Sequence, residues 1–432
     1  MVARFVCIAL VFLVLPATAR AAAPDAAPDD DRHVLEGALD ISAIHVSSPF
    51  TTWLDEGEGK LRFDESDTTL QFSRAFLEYR GRLTSTIVAH GVLNIQDTKE
   101  KILDATEAYL EWRPVPSTPW RVRSRLGAFY PKLSLENVDA GWSSPYGLSA
   151  SAINTWIGEE LRTFGAEVRV SRALSQLPLT PEVSFEGAIF YRNDPTGALL
   201  TRRGWAIHDR QTGITSALPL PVVSAIEPWI PVPRDSGRFK PFEEIDHRPG
   251  FYAGAEWRMG ESFRLKYFHY DNHGDPEARD GLDYAWQTRF DHLGLQFTLP
   301  GDVGVIYQWL DGFTRMGPDL GPWHVWDSDF DARFLLLTRA FGRHRLSARY
   351  DNFDVQPYND PDQYTNRDHG YAWTASYLFD WSKHIRLGAE YLAIATEHCD
   401  TDQCAWVFSG LPRTTRQNQV QLSLRWQFQE RL

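Results

Sequence analysis

The stretch Gln419-Val-Gln-Leu-Ser-Leu-Arg-Trp-Gln-Phe428 alternates without a break. Val420, Leu422, Leu424, Trp426 and Phe428 form one set, and Gln419, Gln421, Ser423, Arg425 and Gln427 form the other. Residues two apart share a face of a strand, so one face here is apolar and the other hydrophilic. A helix would need apolar residues three and four apart, and the stretch lacks that spacing. The same dyad recurs upstream, where Thr106, Ala108, Leu110 and Trp112 alternate with Ala105, Glu107, Tyr109 and Glu111.

Working outward from these two segments, the pattern predicts strands near 34–46, 70–82, 85–96, 103–113, 120–130, 160–171, 182–192 and 251–259. A second set follows near 262–271, 282–299, 302–312, 330–341, 344–353, 369–380, 383–396 and 416–428. Their connections are expected to alternate strictly between short and long. Arg80-Gly81-Arg82, Met259-Gly260-Glu261, Pro300-Gly301-Asp302, Phe341-Gly342-Arg343 and Asp380-Trp381-Ser382-Lys383 are short. Segments near 114–119 and 173–181 are slightly longer, and the rest are long, polar and rich in Asp, Asn, Gly and Pro. Amphipathic strands of about ten residues with short turns on one side and long loops on the other describe a membrane barrel. The fold expected is all-β: a transmembrane antiparallel β-barrel of about 16 strands, with short periplasmic turns and long extracellular loops. A soluble sandwich would mix loop lengths at both ends and hide its apolar faces. Aromatic residues near segment ends (Tyr79, Trp112, Trp120, Tyr130, Trp257, Trp309, Trp373, Tyr377, Trp381 and Trp426) fit rings at the membrane interfaces.

Composition narrows the function. The 432 residues carry a formal net charge of −13, which speaks against a nucleic-acid partner, since a phosphate backbone calls for a basic face. The mean hydropathy of −0.36 is too polar for a bundle of membrane helices. Basic residues are heavily skewed to arginine, whose planar fork suits crowded ion-pair walls.

Residues 1–21 read as a secretory signal: Arg4 is the positive start, Phe5–Leu15 the apolar core, and Ala17-Thr18-Ala19 or Ala19-Arg20-Ala21 the small-x-small site. Residues 22–33 are an unstructured lead-in and 34–432 the barrel, with no globular plug domain expected before the first strand. Cys7 leaves with the signal. Cys399 and Cys404, five apart in a polar stretch, are expected to close a loop disulfide in an oxidising compartment rather than to hold a metal.

If the apolar face meets lipid, the other face lines the lumen. On the strand near 120–130, Trp120, Val122, Leu126, Ala128 and Tyr130 would face lipid, and Arg121, Arg123 and Arg125 would project inward one above another. Glu107 and Glu111 on the preceding strand, and Glu167 and Arg169 on the following one, share that inward face. Unpaired guanidinium groups would draw anions into the pore. Paired across strands, they would stiffen the wall. A mixture of both is expected. Further inward charges are Arg264, Lys266, Arg333, Arg339, Arg345, Arg349 and Arg425, with Glu256, Asp331, Asp351 and Glu390.

The connection from Pro131 to Glu160 is unusually apolar for a loop in water, with Leu133, Leu135, Trp142, Tyr146, Ile153 and Trp156. Folding back into the lumen would bury these groups and put Lys132, Glu136, Asn137 and Asp139 at a constriction. The alternative is an outward loop packed on its neighbours.

The stretch Arg125-Leu-Gly-Ala-Phe-Tyr-Pro-Lys-Leu-Ser-Leu-Glu-Asn137 resembles the phosphate-selective porin O and P family, whose members carry a Gly-x-Phe, proline and Ser-Leu-Glu segment ahead of an infolding loop. The segment Ser151–Glu167 looks like uncharacterised members of the same group, so the resemblance covers roughly residues 120–170. It implies a sixteen-stranded outer-membrane porin, usually a homotrimer, passing small anions.

The longest insertion, Asn193 to Pro249, carries Pro219, Pro221, Pro228, Pro231 and Pro233 among Trp205, Trp229 and Ile230. Proline at this density excludes membrane strands, and a surface loop packed on the rim is expected, with capping the pore, latching a neighbouring subunit or binding a ligand at the surface as the alternatives. An enzyme is not expected. His269, His273, His292 and His344 are scattered, no nucleophile elbow or metal-ligand spacing appears, and His369 with Asp368 reads as polar loop. No cofactor or metal is called for. The expected function is passive diffusion of small hydrophilic or anionic solutes through an outer-membrane channel lying in lipid. A plugged barrel serving as adhesin or anchor is the alternative, and a membrane hydrolase the remoter one.

Overall fold

The structure, a computed structural model, describes residues 33–96, 101–174, 181–221, 238–281, 283–319, 321, 324–357, 367–399 and 404–432. The expected signal and nearly all of the lead-in lie outside these residues, as do Pro228, Trp229, Ile230, Pro231 and Pro233.

Sixteen antiparallel strands close into one barrel. The first eight are β1 (His33–Ser47), β2 (Leu70–Arg82), β3 (Ile87–Ile95), β4 (Leu103–Trp112), β5 (Trp120–Phe129), β6 (Thr163–Ala173), β7 (Pro181–Tyr191) and β8 (Gly250–Met259). The rest are β9 (Phe263–Asp271), β10 (Trp286–Leu299), β11 (Val303–Asp319), β12 (His324–Phe341), β13 (His344–Pro357), β14 (Asp368–Asp380), β15 (Ile385–His398) and β16 (Thr414–Arg431). Each pairs with its sequence neighbours, and β1 closes the ring on β16 from Val34↔Arg431 to Ser47↔Asn418. Closure leaves no edge strand to satisfy.

At the short-turn end, Gly342-Arg343 is a two-residue turn between the paired Phe341 and His344. Gly342 takes φ 59°, the left-handed conformation such a turn requires and glycine adopts without cost. The turn expected at Arg80–Arg82 lies later, because β2 stays paired through Arg82. Strict alternation of loop lengths also fails: on the long-loop side β11 and β12 are joined across only residues 320–323. Here the chain length went into the strands instead, which run 17 and 18 residues.

The outward face is a belt of exposed apolar side chains, among them Leu126 at 63 % exposure, Ile189 at 62 % and Leu422 at 56 %. Trp112, Trp120, Trp257, Trp373, Trp381 and Trp426 are exposed on the same surface. A continuous apolar wall of this extent is stable against lipid, not water. Tyr130 departs from the expectation. It lies beyond the end of β5, buried and stacked on Trp142 with ring centroids 4.2 Å apart. Ala128 and Thr106 are buried too, the latter at a register shift between β3 and β4.

The barrel interior holds a large apolar core. Phe190, Tyr252, Phe268, Tyr270, Phe290, Phe330, Phe334 and Leu336 point inward from the wall and are buried. This reverses the expected facing on β12: its even-numbered apolar residues point in, so Arg333 is exposed outside, bonded to Asn352 Oδ1 at 2.9 Å, and Asp331 lies on the same outer face. The dyad holds on this strand, but its apolar side faces inward because the inside of the strand meets protein and not water.

Candidate functional site

What those inward aromatics meet is the loop after β5. It starts with Leu133 and Leu135, both buried, and tightens where Ser134 Oγ accepts the amides of Glu136 (3.1 Å) and Asn137 (2.8 Å). Gly141 turns at φ 60° so close to the wall that a Cβ would stand 2.6 Å from the Phe76 ring. Ser151 then caps α1 (Ala152–Glu160), accepting the amide of Asn154 at 3.3 Å. All nine helical residues are buried, and Trp156 sits among Phe330, Phe290 and Trp205 at centroid distances of 5.3, 5.4 and 5.8 Å.

The wall holds this loop by accepting its backbone amides. Glu107 on β4 accepts Tyr130 N (3.0 Å), Gln308 on β11 accepts Leu135 N (2.9 Å), and Glu78 on β2 accepts Gly141 N (2.9 Å). Glu390 on β15 takes the amides of Leu148 (2.7 Å) and Ser149 (3.0 Å), and Asp351 on β13 takes that of Ala152 (3.1 Å). Lys266 on β9 donates to the Lys132 carbonyl. Anchors on strands spread around the ring make the loop a plate across the bore rather than a strap along one side.

The four expected constriction residues divide. Glu136 is buried, bonded to Arg349 Nη1 at 2.7 Å, Ser151 N at 2.9 Å and Asn154 Nδ2 at 2.8 Å. Asn137 is buried and donates to the Trp142 carbonyl at 3.2 Å. Lys132 and Asp139 are exposed. Glu136 and Asn137 therefore shape the loop, while Lys132 and Asp139 remain exposed on it.

The arginine column divides as well. Arg125 is buried and makes a two-pronged pair with Glu167, Nε to Oε1 at 2.8 Å and Nη2 to Oε2 at 2.7 Å. Tyr252 donates its hydroxyl to the same carboxylate at 2.5 Å. Arg123 is half-buried and Arg121 exposed, nearer the short-turn mouth. Glu111 pairs with Arg113. Arg169 reaches Glu186 at 3.0 Å and Glu256 at 3.5 Å, and Lys266 reaches Glu186 at 3.1 Å. The lower wall on β6–β9 is thus a lattice of alternating charge, with pairs made between neighbouring strands and across an intervening one.

A second layer follows the alternative in which the insertion caps the pore, not the preferred rim loop. The insertion after β7 does not pack on the rim: residues 198–212 enter the barrel mouth, carrying α2 (Ala198–Arg203) and the buried Leu199, Leu200, Trp205 and Ile207. Arg203 clasps Glu159 with both Nη atoms at 2.7 Å, and His208 Nε2 meets the same carboxylate at 2.9 Å. Glu160 accepts Trp156 Nε1 at 2.7 Å and the amides of Gly197, Leu199 and Leu200 at 3.1 Å each. Lys60, from the connection after β1, pairs with Asp368 and donates to the Arg203 carbonyl. Burial disfavours ionisation of Glu159, but Arg203 and His208 outweigh it and hold the carboxyl at about 2. For Glu160 burial, helped by the Glu159 charge, prevails over its N–H donors and lifts it to about 7. The sequence signal was the apolar run Ala198-Leu-Leu and Trp205-Ala-Ile207, placed among the prolines that read as surface loop.

Cys399 and Cys404 are joined by a disulfide. The scattered histidines have separate partners: His269 beside Asp291 at 2.8 Å, His292 beside Gln308 at 2.6 Å and His344 beside Tyr377 at 2.7 Å. Among the described residues, Asp194, Glu244 and Asp246 bring carboxylate oxygens within 4.8 Å of one another. They tie loops through amides, Glu244 accepting Arg192 N and Asp246 accepting Asp275 N, each at 2.5 Å. Burial lifts Asp194 to about 7 against the bond from Ile245 N, with the Asp246 and Glu244 charges pushing the same way as burial.

No protein-family model matches the chain, and none of the curated proteins does. Solved structures do. The chain is similar to the outer membrane channel DcaP of Acinetobacter baumannii, at 12 % identity and TM-score 0.50, over 91 % of this chain and 97 % of that one. The fold is that of an outer membrane channel. The anion-selective porin from Comamonas acidovorans is similar at 13 % identity and TM-score 0.49, over 92 % and 100 % of the two chains. OmpF of Salmonella typhi, in complex with daunomycin, is similar at 11 % identity and TM-score 0.49, over 93 % and 98 %.

Proposed function

We propose that this chain is an outer-membrane channel for passive diffusion of small hydrophilic solutes, with a bias toward anions. The observation that carries the reading is the charged half of the lumen below the infolded loop. There Arg121 and Arg123 on β5 line the approach, and Lys132 and Asp139 stand exposed on the loop itself. Export by residues 1–21, an unstructured 22–33, a barrel over 34–432, seating in outer-membrane lipid and assembly as a homotrimer complete the proposal. A wall that meets its charges pairwise suits a conduit better than an enzyme. Solutes would enter by diffusion, be sieved at the loop, and be sorted by the field of Arg121 and Arg123 against Glu107 and Glu111.

The packed upper half supports a second reading, a closed barrel acting as surface anchor. Inward residues from Ile44 and Val92 on one side to Leu310, Phe353 and Ile394 on the other are all buried against the loops. Planar-bilayer recording of the refolded protein separates the two. Discrete steps whose reversal potential under a salt gradient indicates anion preference support the channel. Silence in the wild type together with silence in a variant lacking residues 198–212 sinks the channel reading and leaves the anchor.

A further inference from the structure

We infer that Arg345, beside Tyr146 of the infolded loop, is a binding site for a small carboxylate anion. Arg345 is the second residue of β13, on its inward face, and is half-buried. Its guanidinium carbon lies 5.3 Å from the Tyr146 ring centroid. The ring holds the cation by its quadrupole and leaves the in-plane N–H groups free. Nη1 donates to Thr338 Oγ1 at 3.1 Å, and Thr338 is fixed in turn by Ser347 Oγ at 2.9 Å. Nε and Nη2 have no partner among the described residues, and neither is sealed from solvent.

These two nitrogens share one edge of the guanidinium, the edge with which this chain holds carboxylates elsewhere. Arg125 grips Glu167 with Nε at 2.8 Å and Nη2 at 2.7 Å, and Arg425 grips Asp40 with the same atoms at 2.7 and 2.9 Å. A planar carboxylate meets both donors at once. At Arg345 no carboxylate among the described residues takes that place. Asp380 and Asp139 act on it only from a distance. Asp380 is bound to Arg386 at 2.6 Å, and Asp139 accepts the amide of Ala140 at 3.1 Å. Tyr146 also lies in the field of Arg264, whose carboxylate partner Glu256, 3.6 Å away, is shared with Lys266 at 3.6 Å and Arg169 at 3.5 Å. Glu136, which acts on Tyr146 as well, is met by Arg349 at 2.7 Å. The field around Tyr146 therefore favours an anion, and its carboxylate must come from outside the chain. The inference deepens the channel reading, giving permeating anions a place to pause, and rests on it only for the route in.

The test is saturation-transfer NMR of acetate on the full refolded barrel, with planar-bilayer recording in parallel. Acetate is expected to bind the wild type saturably, and Arg345→Met to weaken that binding about tenfold or more, the effect of losing a charge-assisted fork. Lys383→Met removes the same charge from an exposed short turn and should leave binding unchanged. If Arg345→Met fails to refold, Arg345→Lys, which keeps the charge and loses the fork, is expected to weaken binding in its place. No saturable binding in the wild type, undiminished binding in the Arg345 variant, or an equal loss in Lys383→Met overturns the inference. Acetate binding to a barrel that carries no current sinks the channel reading and leaves this site standing. Current without acetate binding does the reverse.

Discussion

Arg349 illustrates how a single residue can hold this interior together. Its guanidinium bridges Glu136 of the infolded loop at 2.7 Å and Asp351 of its own strand at 2.8 Å, and donates to the carbonyls of Ser149 and Ala150 at 2.9 Å each. Arg349→Met would leave two carboxylates buried without their counter-charge, a loss of about 3–5 kcal/mol in unfolding free energy. The double variant Arg349→Met/Glu136→Gln should recover part of it, because only one charge then stays unpaired. Urea unfolding checks both. The adjacent glutamates of α1 give a pH signature of two signs. Glu159, held at about 2, contributes stability that is present above the ordinary carboxylate value of 4.5 and fades as pH falls toward 2. Glu160, lifted to about 7, contributes stability that is full below 4.5 and is lost as pH rises through about 7. Packing around α1 should therefore be tightest between those limits. Acrylamide quenching, taken as the difference between wild type and Trp156→Phe, should pass through a minimum there. A monotonic curve would mean that one of the two does not titrate in the plug.

At the scale of the element, α1 is a helix with no solvent face. Its nine residues are buried on every side, by the wall, by its own loop and by the segment carrying α2. Trp156→Ala removes the ring that Trp205, Phe290 and Phe330 pack on, and should cost about 3–5 kcal/mol. Because that volume lies on the barrel axis side of the wall aromatics, the variant should also conduct more than the wild type in a planar bilayer. Unchanged conductance would show that the permeation path avoids α1. The helix itself was not legible beforehand. Periodicity gives residues 152–160 partly to a loop and partly to the start of a strand near 160–171, since a nine-residue helix buried all round carries no amphipathic stripe. The apolar excess of the whole connection was legible, and it pointed inward for the right reason: those groups had no other place to avoid water.

For the whole molecule, the expected arginine ladder becomes two kinds of residue. Arg125 is tied to Glu167, so Arg125→Ala should lower stability by leaving that carboxylate buried beside Tyr252, and should move ion preference little. Arg121 and Arg123 lie toward the mouth, and their double replacement by Ala should shift the reversal potential toward cations. If Arg125→Ala shifts it more than the double variant does, the selectivity lies deeper than proposed. The wall carboxylates have a comparable split. Glu107, Glu390 and Asp351 look from the sequence like charges lining a pore, yet they serve the loop amides, as Glu78 does. Side-chain type announces a charge; it does not announce its partner.

The alternation of apolar and polar residues by itself determined the sixteen strands, most of their limits and the lipid-facing side of β5 and β16. That information is local, because a pleat turns every second side chain to one face whatever the chain does elsewhere. Only the tertiary structure decided what fills the barrel. The bond from Arg349 to Glu136 joins residues 213 apart, and that from Leu148 to Glu390 spans 242. Contacts at such separation depend on the curvature of the closed wall and on which loops turn inward. The same apolar face that meets lipid on one strand then meets protein on another, as Phe330 and Phe334 do on β12. Periodicity specifies that a strand has two faces; packing specifies what each face touches.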